Sequence, residues 1–155
     1  TFLYKPLSKS GQDAYLFKRR NQGNLIMASA DKSGVLKLQR AMAKGQLIGI
    51  LPDQDPGEEG GIMAPFFNQS VNTMTLLAKL AKKNNAKVVM LWAKRLSKGQ
   101  GFDLIAEPID ILSDAPDILA QVSNMNSAIE ALVRQCPEQY LWSYRRFRSS
   151  HRYDE

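Results

Sequence analysis

Residues 52–61 read Pro-Asp-Gln-Asp-Pro-Gly-Glu-Glu-Gly-Gly. Two prolines and three glycines in ten positions continue neither a helix nor a strand. The apolar run Leu47–Leu51 leads directly into this break. The pattern is a short buried strand whose C-terminal end opens into a polar loop, which is where α/β proteins place ligand sites.

The neighbouring segments extend the same plan. Residues 1–5 form a short strand stopped by Pro6, and a weak helical signal runs from Gln12 to Gln22. Leu25-Ile26-Met27 is a short buried run. A helix begins at Ser33 and ends at Gly45. Val71, Met74, Leu77, Ala78 and Ala81 share one helical face, which predicts a helix over Asn68–Lys83. Lys87–Ala93 and Phe102–Glu107 read as strands joined by a turn at Ser97–Gly101, with Pro108 as the stop. A last helix starts around Asp114 and Pro116. Its buried stripe is Ile118, Leu119, Val122, Met125, Ile129, Leu132 and Val133, and Pro137 breaks it. The fold class is α/β, a mixed sheet flanked by helices. Residues 1–148 make one domain and residues 149–155 a frayed tail.

Composition narrows the function. Hydrophobic residues are 44% and charged residues 23%, as in a globular domain rather than a disordered tail, collagen-like repeat or disulfide scaffold. No window approaches 18 consecutive apolar residues, so no single helix here spans a bilayer. Cys136 is the one cysteine, which excludes an internal disulfide and makes a reducing compartment the default. The net charge of +6 favours an anionic partner: nucleic acid, lipid headgroups or a phosphorylated ligand.

Four stretches carry candidate chemistry. Asp53 and Asp55, with Gln54 between them, can bind a metal, orient a sugar hydroxyl or hold an arginine; the plain alternative is a solvated turn. As a metal site the pair supplies too few ligands. Lys18-Arg19-Arg20 can clamp a phosphate through guanidinium forks, or simply suit a helix C-terminus. Gly60–Phe67 is apolar and lines an acyl groove or packs on the core. Tyr140–Arg148 interleaves aromatics with arginines, which suits stacked nucleotides, a membrane interface or inward packing of Trp142. The acidic residues of the 52–61 loop count against nucleic acid. His151, the single histidine, lies in the tail and is a poor general base there, and Cys136 reads as a packing residue.

Taken together, Tyr4-Lys5-Pro6, Arg20, Leu51-Pro52-Asp53-Gln54-Asp55-Pro56-Gly57, Pro65-Phe66-Phe67, Asn126, Glu130, Pro137-Glu138-Gln139-Tyr140-Leu141-Trp142 and Arg145-Arg146-Phe147 resemble the late acyltransferases of bacterial lipid A biosynthesis. The resemblance covers essentially the whole chain. It implies transfer of a fatty acyl chain from acyl carrier protein to a hydroxyl of a Kdo-bearing lipid A precursor, at the cytoplasmic face of the inner membrane. It implies no cofactor and no nucleic acid. It makes Arg19 or Arg20 a phosphate or phosphopantetheine contact, and it places Asp53, Gln54, Asp55 and Gly57 at the acceptor. Arg145 and Arg146 become contacts to lipid phosphate or to the acidic carrier. The family's His-x4-Asp/Glu motif belongs before Tyr4, and His151 has no residue five positions on to replace it. A chain that begins on Thr1 is therefore expected to be a C-terminal part, without the anchor helix and inactive alone. The alternative is a non-catalytic basic module that binds anionic lipid, acyl carrier protein or nucleic acid.

Overall fold

The computed structural model describes residues 1–7, 10–57 and 59–148. It divides into two compact units, Thr1–Leu51 and Pro52 onward. The fold is α/β as expected, with helices and strand pairs of both orientations. Among the described residues the strands form three separate two-stranded ladders. The expected tail, 149–155, lies outside the described residues.

In the first unit, β1 (Phe2–Tyr4) pairs in parallel with β2 (Met27–Ser29), and Leu3 stands opposite Ala28. A parallel pair needs a crossover, which α1 (Ser10–Arg20) supplies. Helix α2 (Lys32–Ala43) starts one residue before the expected Ser33. Asp31 caps it, its side chain accepting from the Gly34 N–H at 2.9 Å. Gly34 is required there: a Cβ would stand 1.7 Å from the Ser29 carbonyl oxygen. Leu38 and Ala41 of α2 are buried, as is Ala28 of β2.

Two expectations fail in this unit. Leu25 and Ile26 are exposed rather than buried, because β2 begins only at Met27. Leu47–Leu51 is not a buried strand. It makes one parallel bridge, Gly49 to Phe2, and Leu47 is 72% exposed. A Cβ at Gly49 would fall 2.1 Å from the Phe2 ring, so only glycine lets the chains approach at this point. With one bridge and no ladder the run is only partly covered: Ile48 and Ile50 are half-buried, while Leu47 and Leu51 are exposed.

In the second unit, β3 (Gly61–Phe66) and β4 (Gln69–Met74) form an antiparallel hairpin, Phe66 opposite Gln69. Phe67 and Asn68 both take positive φ, 47° and 61°, as a two-residue hairpin turn of the I′ kind requires. The helix expected over Asn68–Lys83 therefore exists only as α3 (Leu76–Asn84). Val71 and Thr73 alternate inward on β4, whose β-branched side chains favour the strand once β3 offers a partner. The expected second hairpin is present. β5 (Val88–Arg95) pairs with β6 (Phe102–Ile109), Val88 opposite Ile109 and Arg95 opposite Phe102. Pro108 does not stop β6; the ladder continues one pair past it.

Helix α4 (Ile118–Gln135) begins at Asp117, which caps the Ala120 N–H at 2.8 Å, later than the expected Asp114 and Pro116. Its buried stripe is Gln121, Val122, Met125, Asn126, Ile129 and Val133. Leu119 is exposed and Leu132 only partly buried, so the stripe is narrower than expected and contains two amides. The core joins this stripe to Ala64 and Phe66 of β3, Val71 of β4, Ala78 and Ala81 of α3, and Ile111.

The β5–β6 hairpin is apolar on both faces. Val88, Met90 and Ile109 pack against the core. The opposite face carries Val89, Leu91, Ala93, Leu104, Ala106 and Pro108, and Leu104 is 70% exposed. An uncovered apolar face of this size promotes association. The double variant Leu91→Lys, Leu104→Glu is expected to lower self-association in sedimentation velocity with the circular dichroism unchanged. If both chains sediment alike, the face does not drive association.

Candidate functional site

The polar loop after Leu51 is held by its own carboxylate. Asp55 Oδ1 accepts from the Gly57 N–H and from Asn72 Nδ2, both at 2.9 Å. Its Oδ2 accepts from Arg148 Nε at 2.8 Å. The Asp55 N–H donates to the Tyr144 hydroxyl at 2.8 Å. Asn72 Nδ2 also donates to the Gly57 carbonyl at 2.7 Å. Gly57 takes φ 83°, which favours glycine. The loop is thereby tied to β4 and to the segment after α4. Burial opposes ionisation of Asp55, but the bonds from Gly57, Asn72 and Arg148 outweigh it and hold the carboxyl below its ordinary range.

Arg146 lies one layer deeper and is 1% exposed. One terminal nitrogen donates to the Asn72 carbonyl at 2.5 Å, the other to Thr73 Oγ1 at 2.8 Å. Its guanidinium stands 5.3 Å from the Phe66 ring centre. Thr73 Oγ1 also receives Asn126 Nδ2 at 3.1 Å, and the same nitrogen donates to the Pro65 carbonyl at 2.8 Å. Arg146 Nε and Asn126 Oδ1 are buried without a partner among the described residues. Burial lowers the Arg146 pKa; Tyr140, Asp53, Tyr144 and Asp55 oppose that shift.

Phe66 is also the hub of an aromatic cluster. Phe67 lies 4.8 Å from it edge-on, Phe147 5.8 Å and Tyr140 6.3 Å away. Trp142 completes it, 4.9 Å from Tyr140, with its indole N–H on the Pro137 carbonyl at 2.7 Å. Glu130 fixes the hairpin turn by accepting the Phe67 N–H at 2.7 Å. Burial, then the charge of Asp53, pushes the Tyr140 phenol up to about 12, so it stays protonated at neutral pH. Gly60–Phe67 is thus chiefly strand and core: Ala64 and Phe66 are buried.

The second unit therefore brings Asp53, Asp55, Gly57 and Arg146 together. Asp55, Gly57 and Arg146 make bonds within the protein. Asp53 is partly exposed, and Gln54 and Arg145 are exposed. In the first unit, Arg19 and Arg20 sit in the exposed last turn of α1, where their charge suits the helix dipole. Asn72 and Thr73 carry the arrangement and were not singled out from sequence, while Tyr144 and Arg148 were named only as part of the aromatic and arginine stretch Tyr140–Arg148. The one signal for Asn72 and Thr73 is the polar cluster of Gln69, Ser70, Asn72 and Thr73 around Val71, in what read as an amphipathic helix.

Cys136 is buried, with Sγ 3.0 Å from Glu138 Oε1. That hydrogen bond, then burial, pushes the thiol up, away from a nucleophile. Gln139 reaches β5: its Oε1 accepts the Arg95 N–H at 2.7 Å and its Nε2 donates to the Ala93 carbonyl at 3.0 Å. His151 lies outside the described residues. Among the described residues no cluster of three or more His, Cys, Asp or Glu could hold a metal, and no helix is long and apolar enough to cross a membrane.

Residues 4–149 match the family described as bacterial lipid A biosynthesis acyltransferase. The chain is 28% identical to the lipid A biosynthesis lauroyltransferase of Escherichia coli K12 over 132 residues, 84% of this chain and 42% of the relative. It is 32% identical to the palmitoleoyltransferase of the same organism over 147 residues, 94% of this chain and 47% of the relative. A lipid A biosynthesis acyltransferase of Haemophilus influenzae is 31% identical over 113 residues, 73% of this chain and 35% of the relative. The chain spans less than half the length of these relatives. It belongs to the bacterial lipid A biosynthesis acyltransferase family.

Proposed function

We propose that the protein carrying these residues moves a fatty acyl chain from acyl carrier protein to a hydroxyl of a Kdo-bearing lipid A precursor, at the cytoplasmic face of the inner membrane. The observation that carries this reading is the family match across 4–149. The acceptor hydroxyl loses its proton to a histidine, the alkoxide attacks the thioester carbonyl, and positive groups steady the oxyanion; the intermediate then collapses with cleavage of the C–S bond, and the carrier's thiolate leaves as the thiol with the proton from the histidine. No His-x4-Asp/Glu pattern occurs in these 155 residues, so that histidine comes from outside them.

This chain contributes binding groups. Asp53 and Gln54 present polar atoms to the acceptor from a loop that Asp55 and Gly57 hold rigid. Arg145 faces solvent for lipid phosphate or an acidic carrier, and Arg146 braces the loop from below. Arg19 and Arg20 contact phosphate or phosphopantetheine.

The test uses an enzyme that contains this chain and the histidine motif. Arg20→Ala and Asp53→Ala should each lower turnover roughly tenfold or more with the unfolding midpoint unchanged. If a variant instead unfolds, its residue is structural. The 155-residue chain alone should transfer no acyl group; acylation at the rate of a whole enzyme would overturn the external base.

A further inference from the structure

Helices α3 and α4 enclose a shallow groove of about 380 Å³, mostly apolar, lined by Lys79, Lys82, Lys83, Ile118 and Gln121. The three lysines occupy positions i, i+3 and i+4 of α3 and so share one face. All three are exposed, and no carboxylate among the described residues pairs with them. Their methylene stems and Ile118 form the apolar wall, while the ammonium groups reach for solvent. Gln121, on the buried stripe of α4, is 3% exposed.

An apolar floor under three unpaired cations fits one kind of occupant: an acidic amphipathic helix that sets an apolar residue on Ile118 and carboxylates on the lysines. We propose that this groove docks the acidic acyl carrier protein, an inference that rests on the donor named above. A bare phosphate would leave the apolar wall unused. A lipid surface would not select a concave groove. Steering by the lysines raises the encounter rate and makes affinity fall with salt.

The probe is fluorescently labelled, lauroyl-loaded acyl carrier protein, titrated into the 155-residue chain and followed by anisotropy. Binding should weaken as salt rises from about 50 to 300 mM. The triple reversal Lys79→Glu, Lys82→Glu, Lys83→Glu should weaken it roughly tenfold or more, with circular dichroism unchanged. A charge-matched reversal on α2 and its C-cap, Lys37→Glu, Arg40→Glu and Lys44→Glu, should stay within about twofold. Ile118→Ser should weaken binding without altering its salt dependence, which keeps the test open if the triple variant misfolds.

Equal losses from both reversals would mean general charge attraction and overturn the groove. So would undiminished carrier binding by the α3 variant, or its loss of binding to phosphatidylglycerol vesicles alone. No carrier binding by the folded wild-type chain would also overturn it. Acyl transfer by an enzyme containing the chain reads the proposed function separately.

Discussion

Arg146→Ala is expected to cost about 3 kcal/mol of folding stability, the range for breaking a buried charged interaction. The guanidinium is 1% exposed and donates to the Asn72 carbonyl and to Thr73 Oγ1 while it covers the Phe66 ring. Alanine removes both bonds, leaves the Asn72 carbonyl short of a donor, and opens a cavity beside Phe66. Arg146→Lys keeps the charge but loses the fork and should recover only part of the loss. The measurement is the urea midpoint by circular dichroism. A midpoint unmoved by Arg146→Ala would return this arginine to the role of a ligand contact.

Asp55→Ala should cost about 2 kcal/mol near neutral pH, in the range of hydrogen bonds to a charged group. Three donors converge on its carboxylate, and the loss releases Gly57, Asn72 and Arg148 together. The effect depends on pH in a defined direction. The folded carboxyl titrates below the ordinary value of 3.8, so its stabilisation is complete above that value and fades as pH falls below it. Asp55→Asn should therefore be less stable than the native chain at pH 7, with a smaller gap at pH 3. A gap of equal size at both pH values would show that the charge is not what holds the loop.

The two aspartates also show where sequence reading stops. Asp53-Gln54-Asp55 left metal, sugar, arginine and plain turn open. The arginine alternative is realised at Asp55 by Arg148, 93 positions away, and no local pattern joins them. The β5–β6 hairpin and the body of α4 were legible because a short apolar run bounded by turn residues, and a helical period, act over a few neighbouring residues. Residues 69–74 were not: Val71 and Met74, three apart, fit a helical face, and the turn at Phe67-Asn68 overrides that spacing by closing a hairpin. Leu47–Leu51 misled for a related reason. An apolar run becomes a strand only when a partner accepts its backbone, and Phe2 offers a single bridge. Arg146 drew notice as a surface cation, since nothing in Arg145-Arg146 says which of the two turns inward.

Gln139 gives the β5–β6 hairpin two unlike borders. Its primary amide meets Ala93 and Arg95 as a neighbouring peptide would, yet it carries only one such couple and leads to no next residue. Growth of the ladder along β5 halts at that stretch, as charged or covered borders halt it elsewhere. Any strand recruited level with Ala93 and Arg95 must therefore add beside β6.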